Sequence, residues 1–309
     1  MNNSSCTAIT ENHIEKIPYP LQPLKSFAFK WIQAAAPALF CLVVAKSLPP
    51  WAFMWVLAGS LFIGAKWVTI ADLLAARALS LRRVAAYAAW PGLNPIEFCR
   101  ANAEHPQPKE WFAALAKMFF GAVIVWGWIR HLPPGNPMLV GWTGLVGMAF
   151  VLHFGAFHLL SILWRAAGFN AQPLMRNPAA AASVASFWGG RWNRAFSDLM
   201  TPHVFAPAAR RFGTATATVI VFLFSGLLHE LVISIPARGG FGLPTLYFAT
   251  QAAGLLFERS RFGRKCGLGR ELRGFIFTIA VTAGPVYWLF HPIFIRNVIL
   301  PMLHAIGAT

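Results

Sequence analysis

Apolar runs long enough to cross a bilayer recur along this chain, at 31–48, 51–70, 111–129, 138–164, 213–235, 243–257, 274–291 and 293–306. A hydrocarbon core about 30 Å thick takes about 20 such residues as a helix, and a backbone in lipid must satisfy its own hydrogen bonds. The repeated runs therefore predict an all-α, polytopic transmembrane protein with about eight spans and additional interfacial helices. Only 12% of the residues are charged, roughly half the usual share of a soluble domain, which excludes a soluble class. Strand patterns are hardly evident.

Charge sorts the connections between these runs. Pro49-Pro50, the segment 133–137 and the segment 239–242 make short turns. The long connections 71–110, 165–212 and 258–273 hold most of the Lys and Arg, among them Arg82, Arg194 and Arg264, whereas only Arg130, Arg238 and Arg296 fall in the opposite loops. The positive-inside rule makes the basic side cytosolic, with both termini facing it. The net charge of +16 thus reads as topology and not as a nucleic-acid surface. Residues 1–30 form a cytosolic tail without the continuous apolar core of a cleavable leader, and 31–309 one transmembrane domain. Cys6, Cys41, Cys99 and Cys266 are scattered and imply neither a disulfide framework nor a zinc site.

Ionisable residues inside a span are costly, so each needs a reason. His229 and Glu230 interrupt the run from Phe222 to Leu231. Counting from Gly213, His229 lies roughly 24 Å deep by helical rise. A histidine there is either a general base for a hydroxyl or a structural group bonded to a neighbouring helix. Ser225 and Gly226, one turn earlier, would leave room for a ligand beside the imidazole. Glu230, about 100° around the helix, is expected to pair with Arg or His elsewhere. In the connection 165–212, Trp188, Trp192 and Phe196 recur at helical spacing and predict an aromatic face lying on the membrane, with Arg194 and Asp198 on another face. Asn193 is suited to bond a carbonyl or hydroxyl, and Arg191 and Arg194 to meet phosphates, although a plain polar contact and a charged helix face explain them equally. His153 and His158 fall on different faces and read as core residues, and His291 reads as interfacial. Position 233 is Ile, which excludes a zinc protease HExxH helix.

Three stretches carry a resemblance. Residues Phe157 to Gly168 and then Phe187-Trp188-Gly189-Gly190-Arg191-Trp192-Asn193 look like the FWGRRWN region of the membrane-bound O-acyltransferases, in their wax synthase branch. Phe224-Ser225-Gly226-Leu227-Leu228-His229-Glu230 is similar to the branch's SGLxHE helix, and Phe290 to Asn297 resembles its closing segment. The likeness covers roughly residues 150–300. It implies acyl transfer from acyl-CoA to a lipid alcohol, with His229 as the base and Asn193 as the second signature residue. Trp188, Arg191, Trp192, Arg194, Ser225, Gly226 and Glu230 would then contact substrate, with no metal and no cofactor beyond acyl-CoA itself. A sterol, glycerolipid or secondary-metabolite hydroxyl is the alternative acceptor, and a non-catalytic lipid transporter the alternative class. The Ala-rich, basic character points to a bacterial relative and an inner membrane.

Overall fold

The computed structural model describes residues 24–44, 47–75, 79–100, 103–133 and 135–309. Most of the proposed N-terminal tail, with Lys16, lies outside them, as do Lys46 and Arg77. Helix dominates, and no strand occurs among the described residues. In chain order the main elements are α1 (Leu24–Val44), α2 (Pro50–Ala75), α3 (Pro108–His131), α4 (Pro137–Ala166), α5 (Arg194–Met200), α6 (Ala206–His229), α7 (Leu243–Arg259), α8 (Glu271–Ala283) and α9 (Pro292–Ala305).

Local chemistry sets the starts. Pro50, Pro108 and Pro137 stand at first helical positions, where no N–H is needed. Asn136 accepts from the Leu139 amide at 3.1 Å, and the Glu110 carboxylate accepts from the Gln107 amide at 3.0 Å, so exposed helix ends are capped. Between α3 and α4, a Cβ added at Gly121 would lie 2.6 Å from the Gly147 carbonyl oxygen, so glycine is what lets these two backbones touch. Phe112 and Phe119 on α3 are 76% and 72% exposed, which fits a face turned to lipid.

Five helical stretches are long and apolar enough to cross a membrane: Pro50–Leu74, Pro108–His131, Pro137–Ala166, Arg194–Ala237 and Glu271–Leu289. The chain is an integral membrane protein of the polytopic, all-helical kind. The count of about eight expected from hydropathy is not reached by this criterion. The runs at 31–48 and 293–306 form shorter apolar helices, Phe29–Val43 and Pro292–Ala305, and the run at 243–257 is the 17-residue α7. The expected start of the fifth span near Gly213 coincides with a kink there, where φ is +81°.

The last run is held by bonds to the ends of three other elements. The Arg130 guanidinium at the end of α3 donates to the Gly307 carbonyl at 2.7 Å, and the Trp126 indole donates to the Ile306 carbonyl at 3.0 Å. Asn297 donates to the Ala237 carbonyl at 2.9 Å, and the Trp55 indole, near the start of α2, to the Met302 sulfur at 3.2 Å. Every one of these partners stands near the short-turn ends of the other helices, so α9 packs against that end of the bundle. Hydropathy alone cannot separate a helix that crosses from one that lies beneath other helices.

The basic connections also come together. Arg194 meets Glu97 at 3.6 Å, Arg165 pairs with Glu110, and the Asn170 amide donates to the Phe98 carbonyl at 2.9 Å. Phe98 is buried among Trp90, Trp164 and Phe169, forming a second core on this side. Lys66 of α2 donates to the carbonyls of Tyr87 and Gly92 at 2.8 and 2.6 Å, which pins the segment 79–100 to that helix. Burial pushes the Cys99 thiol above its ordinary value, so this thiol is protonated and inert. Single-cysteine labelling in a background without the four native cysteines checks the arrangement. Gly135→Cys and Thr309→Cys are expected to react from one side and Arg82→Cys from the other. A Thr309→Cys that labels with Arg82→Cys would restore the eighth crossing.

Candidate active site

The site is built around α7, which packs between α6 and the segment 184–205. A Cβ at Gly226 would stand 2.8 Å from the Thr245 Cα, so the two helices meet with almost no side chain between them. The room expected beside the imidazole at Gly226 is therefore filled by Thr245. Glu230 lies just past the end of α6, where the helix widens into a π turn over Glu230–Ser234. Its Oε1 accepts from the Gly242 amide at 3.0 Å, the Thr245 amide at 3.0 Å and the Thr245 hydroxyl at 2.9 Å. The expected partner, Arg or His, is replaced by the unsatisfied amides that open α7. A carboxylate there satisfies the orphan donors and complements the helix dipole. Glu230 is thus committed to holding α7, and its Oε2 is buried without a partner.

His229 is half-buried. Its Nδ1 is 2.7 Å from the Ser225 carbonyl oxygen. A carbonyl can only accept, so Nδ1 carries the hydrogen of the neutral ring and Nε2 carries the lone pair. The Phe248 ring of α7 lies with its centroid 4.5 Å from the imidazole centroid. Next to this pair is a cavity of about 300 Å³ between α6, α7 and the segment 185–205. Trp188, Ser197, Phe222, Ser225 and Phe248 line it, and Arg259 stands at the end of α7. By helical rise, Phe248 and Arg259 are roughly 16 Å apart along α7, so the cavity runs from a basic end towards the histidine.

The expected aromatic helix over Trp188, Trp192 and Phe196 does not form. Phe187–Arg191 is a wide π turn, Trp192 is extended, and Asn193 adopts a left-handed conformation with φ +45° before α5 begins. Trp188 therefore faces α7, where its indole donates to Gln251 at 3.2 Å and its ring packs on Phe222 and Phe248. Trp192 turns the other way. It stacks on Phe187 at 5.7 Å and on His153 of α4 at 6.2 Å. Asn193 is exposed, caps α5 by accepting from the Phe196 amide at 3.4 Å, and does not line the cavity. Arg191 donates to Ser186 at 3.0 Å and to the Asn177 carbonyl at 3.1 Å, and Arg194 faces Glu97. These two arginines brace their own loop. His291, expected at an interface, is fully buried and caps the start of α9 by accepting from the Phe294 amide at 3.2 Å.

Of the sequence-derived residues, Trp188 and Ser225 meet at the cavity with His229 just beyond, while Arg191, Trp192, Asn193 and Arg194 lie on the far side of the signature loop. Sequence reasoning did not single out Phe248, Gln251 or Glu258. Glu258 is buried and accepts from the Val184 amide at 2.6 Å, fastening the start of the signature segment to α7, and Gln251 donates in turn to the Val281 carbonyl at 2.8 Å. Gln251 and Glu258 are polar residues two helical turns apart in an apolar run, and that was the signal.

The imidazole thus stands with its Nε2 lone pair free beside an apolar cavity in a polytopic helical protein. Residues 171–250 match the model of the Membrane bound O-acyl transferase family. The chain is also similar to a long-chain-alcohol O-fatty-acyltransferase of Simmondsia chinensis, 30% identical over 42% of this chain and 40% of the relative. A probable long-chain-alcohol O-fatty-acyltransferase of Arabidopsis thaliana is 30% identical over 42% of each chain. An acyl-CoA–sterol O-acyltransferase of the same plant is 31% identical over 22% of this chain and 21% of the relative. The first two relatives are thus covered over less than half their length. Residues 171–250 are thus similar to the membrane-bound O-acyltransferase family, and the chain shares its likeness with long-chain-alcohol and sterol O-acyltransferases over less than half of their length.

The Gly226–Thr245 contact is directly testable. Gly226→Ala is expected to overpack the helix pair and cost about 1–3 kcal/mol, read as a lower thermal midpoint in detergent. An unchanged midpoint would mean that α6 and α7 do not meet this closely.

Proposed function

We propose that this protein transfers a fatty acyl group from acyl-CoA to the hydroxyl of a lipid alcohol, with His229 as the general base. The observation that carries the reading is the bond from His229 Nδ1 to the Ser225 carbonyl at the inner end of the cavity. It fixes the tautomer and leaves Nε2 to take a proton. As the alcohol oxygen attacks the thioester carbon, Nε2 accepts the hydroxyl proton, the C–O bond forms and the C–S bond breaks. The imidazolium then returns the proton to the departing thiolate sulfur. The thioester arm enters from the cytosolic end beside Arg259, and the alcohol, already dissolved in the bilayer, reaches His229 from within the membrane.

The acyltransferase names of the relatives support transfer over lipid transport, and the sterol enzyme among them supports a sterol as second acceptor. A glycerolipid or secondary-metabolite hydroxyl has no such support. No cofactor beyond the acyl-CoA substrate is assigned. The basic loops set the orientation, with the described N-terminal end cytosolic in a bacterial inner membrane and α9 on the opposite side. Asn193 acts by position: its left-handed backbone ends the π turn and aims Trp188 at α7 while starting α5, whose Ser197 lines the cavity.

Two substitutions test these roles. His229→Ala is expected to lower ester formation from labelled acyl-CoA and a panel of lipid alcohols by about 10²–10⁴ at unchanged abundance, and full activity would sink the assignment. For Asn193, the left-handed conformation costs an ordinary residue about 1–2 kcal/mol and glycine almost nothing. Asn193→Gly should therefore keep most ester formation while Asn193→Ala loses it. Equal loss in both would show that the amide itself acts on substrate.

A further inference from the structure

The cavity stops short of the residue it is meant to serve. Phe248 and Ser225 line its inner end, whereas His229 is not part of the lining. The Phe248 ring touches the imidazole on one side, at 4.5 Å between centroids, and Trp188 on the other, at 5.7 Å. It is only 2% exposed. A thioester carbonyl arriving through the cavity meets this ring before it meets Nε2.

We propose that Phe248 is the gate of the donor route, a specificity-determining residue whose ring must swing aside for the thioester to reach His229. The inference rests on the reading of His229 as the base and of the cavity as the donor's path. Its neighbours show why this side chain and not another is the moving part. Trp188 is tethered through its indole N–H to Gln251, and Gln251 is anchored to the Val281 carbonyl. Ser225 is part of the α6 backbone, and its carbonyl is bound to His229. The adjacent Tyr247 hydroxyl donates to the Thr282 carbonyl at 2.9 Å. Phe248 has no polar atom to tether, so a rotation about its side-chain torsions breaks only ring contacts. When closed, the ring keeps the aqueous mouth near Arg259 out of reach of the base. When displaced, it admits the thioester. A water molecule reaching Nε2 by the same path would attack that carbonyl in place of the alcohol, giving free fatty acid and CoA with the same proton movements.

The test uses the full chain in detergent micelles with bromoacetyl-CoA, which can alkylate an imidazole nitrogen as bromide leaves, and bromoacetamide as a small reagent without the CoA group. Modification of the peptide containing His229 is read by mass spectrometry as the ratio of the two reagents. Phe248→Leu and Phe248→Ala are expected to raise the ratio several-fold over the unsubstituted chain, and Phe248→Trp to lower it. Leucine keeps an apolar side chain at the site, so it carries the test where alanine impairs folding. An unchanged ratio in Phe248→Leu, or no alkylation of His229 by bromoacetyl-CoA in any variant, overturns the gate. With labelled acyl-CoA, Phe248→Leu should also raise the ratio of free fatty acid to ester. The two readings fail separately: absent ester formation in the unsubstituted chain sinks acyl transfer whatever the alkylation shows, whereas normal ester formation, abolished by His229→Ala, with an unchanged alkylation ratio sinks the gate alone.

Discussion

A single carboxylate oxygen at the end of α6 holds the site together. Glu230 Oε1 takes up the first amides of α7, donors that have no partner within the helix itself. Because Glu230 adjoins His229 in sequence, the residue that fixes the start of α7 also fixes the segment that carries the imidazole. The helix so placed then organises the rest through one face. Thr245 meets Gly226, Phe248 meets His229, Gln251 holds Trp188, and Glu258 holds Val184. The steps between these residues are one turn, one turn and two turns, as a helix face requires. A helix of only 17 residues, marked in the sequence by the apolar run at 243–257, is therefore the spine of the site.

This arrangement explains why the signature loop is not a regular helix. A straight helix from Phe187 to Met200 would carry Trp188, Trp192 and Phe196 along one stripe. The actual loop needs Trp188 towards α7 and Trp192 towards His153 on α4, which are different neighbours. The π turn and the left-handed Asn193 supply the rotation. Asparagine tolerates that conformation better than most residues, and Gly189-Gly190 weakens helix propensity just before it. The two arginines of the motif then serve the turn itself, Arg191 by satisfying loop carbonyls and Arg194 by reaching Glu97.

Much of this was legible from the chain. Apolar run length located α2, α3 and α4 to within a few residues, because the bilayer sets a minimum length that few other structures need. The cost of ionisable groups in lipid singled out His229 and Glu230, and basic clustering grouped loops that the structure brings into contact. What escaped was everything that depends on a partner. Periodicity assumes an unbroken helix and so missed the turn at Asn193. Composition cannot tell a ligand pocket from a helix contact at Gly226, nor a salt bridge from a helix cap at Glu230. The C-terminal run is apolar because it packs against α2 and α4, with Ile295 and Leu303 filling the spaces over Gly141 and Gly144.

The proposed acyl transfer inside a membrane poses a difficulty that this arrangement would answer. The base must be strong enough to take a hydroxyl proton, yet water must be kept from the thioester, since water competes with the alcohol for the same carbonyl. A histidine held by a backbone carbonyl meets the first need without a hydrogen bond to the adjacent carboxylate, because the Oε1 of Glu230 is spent on α7. Aromatic packing meets the second, since Trp188, Phe222 and Phe248 leave no polar group at the inner end of the cavity other than Ser225. Dispersing these duties has a structural consequence. The polar bonds are used to fasten helices, while the surface next to the base is left to the Phe248 ring, which can move without breaking a hydrogen bond. Rigidity and access are thereby assigned to different atoms of the same helix, α7.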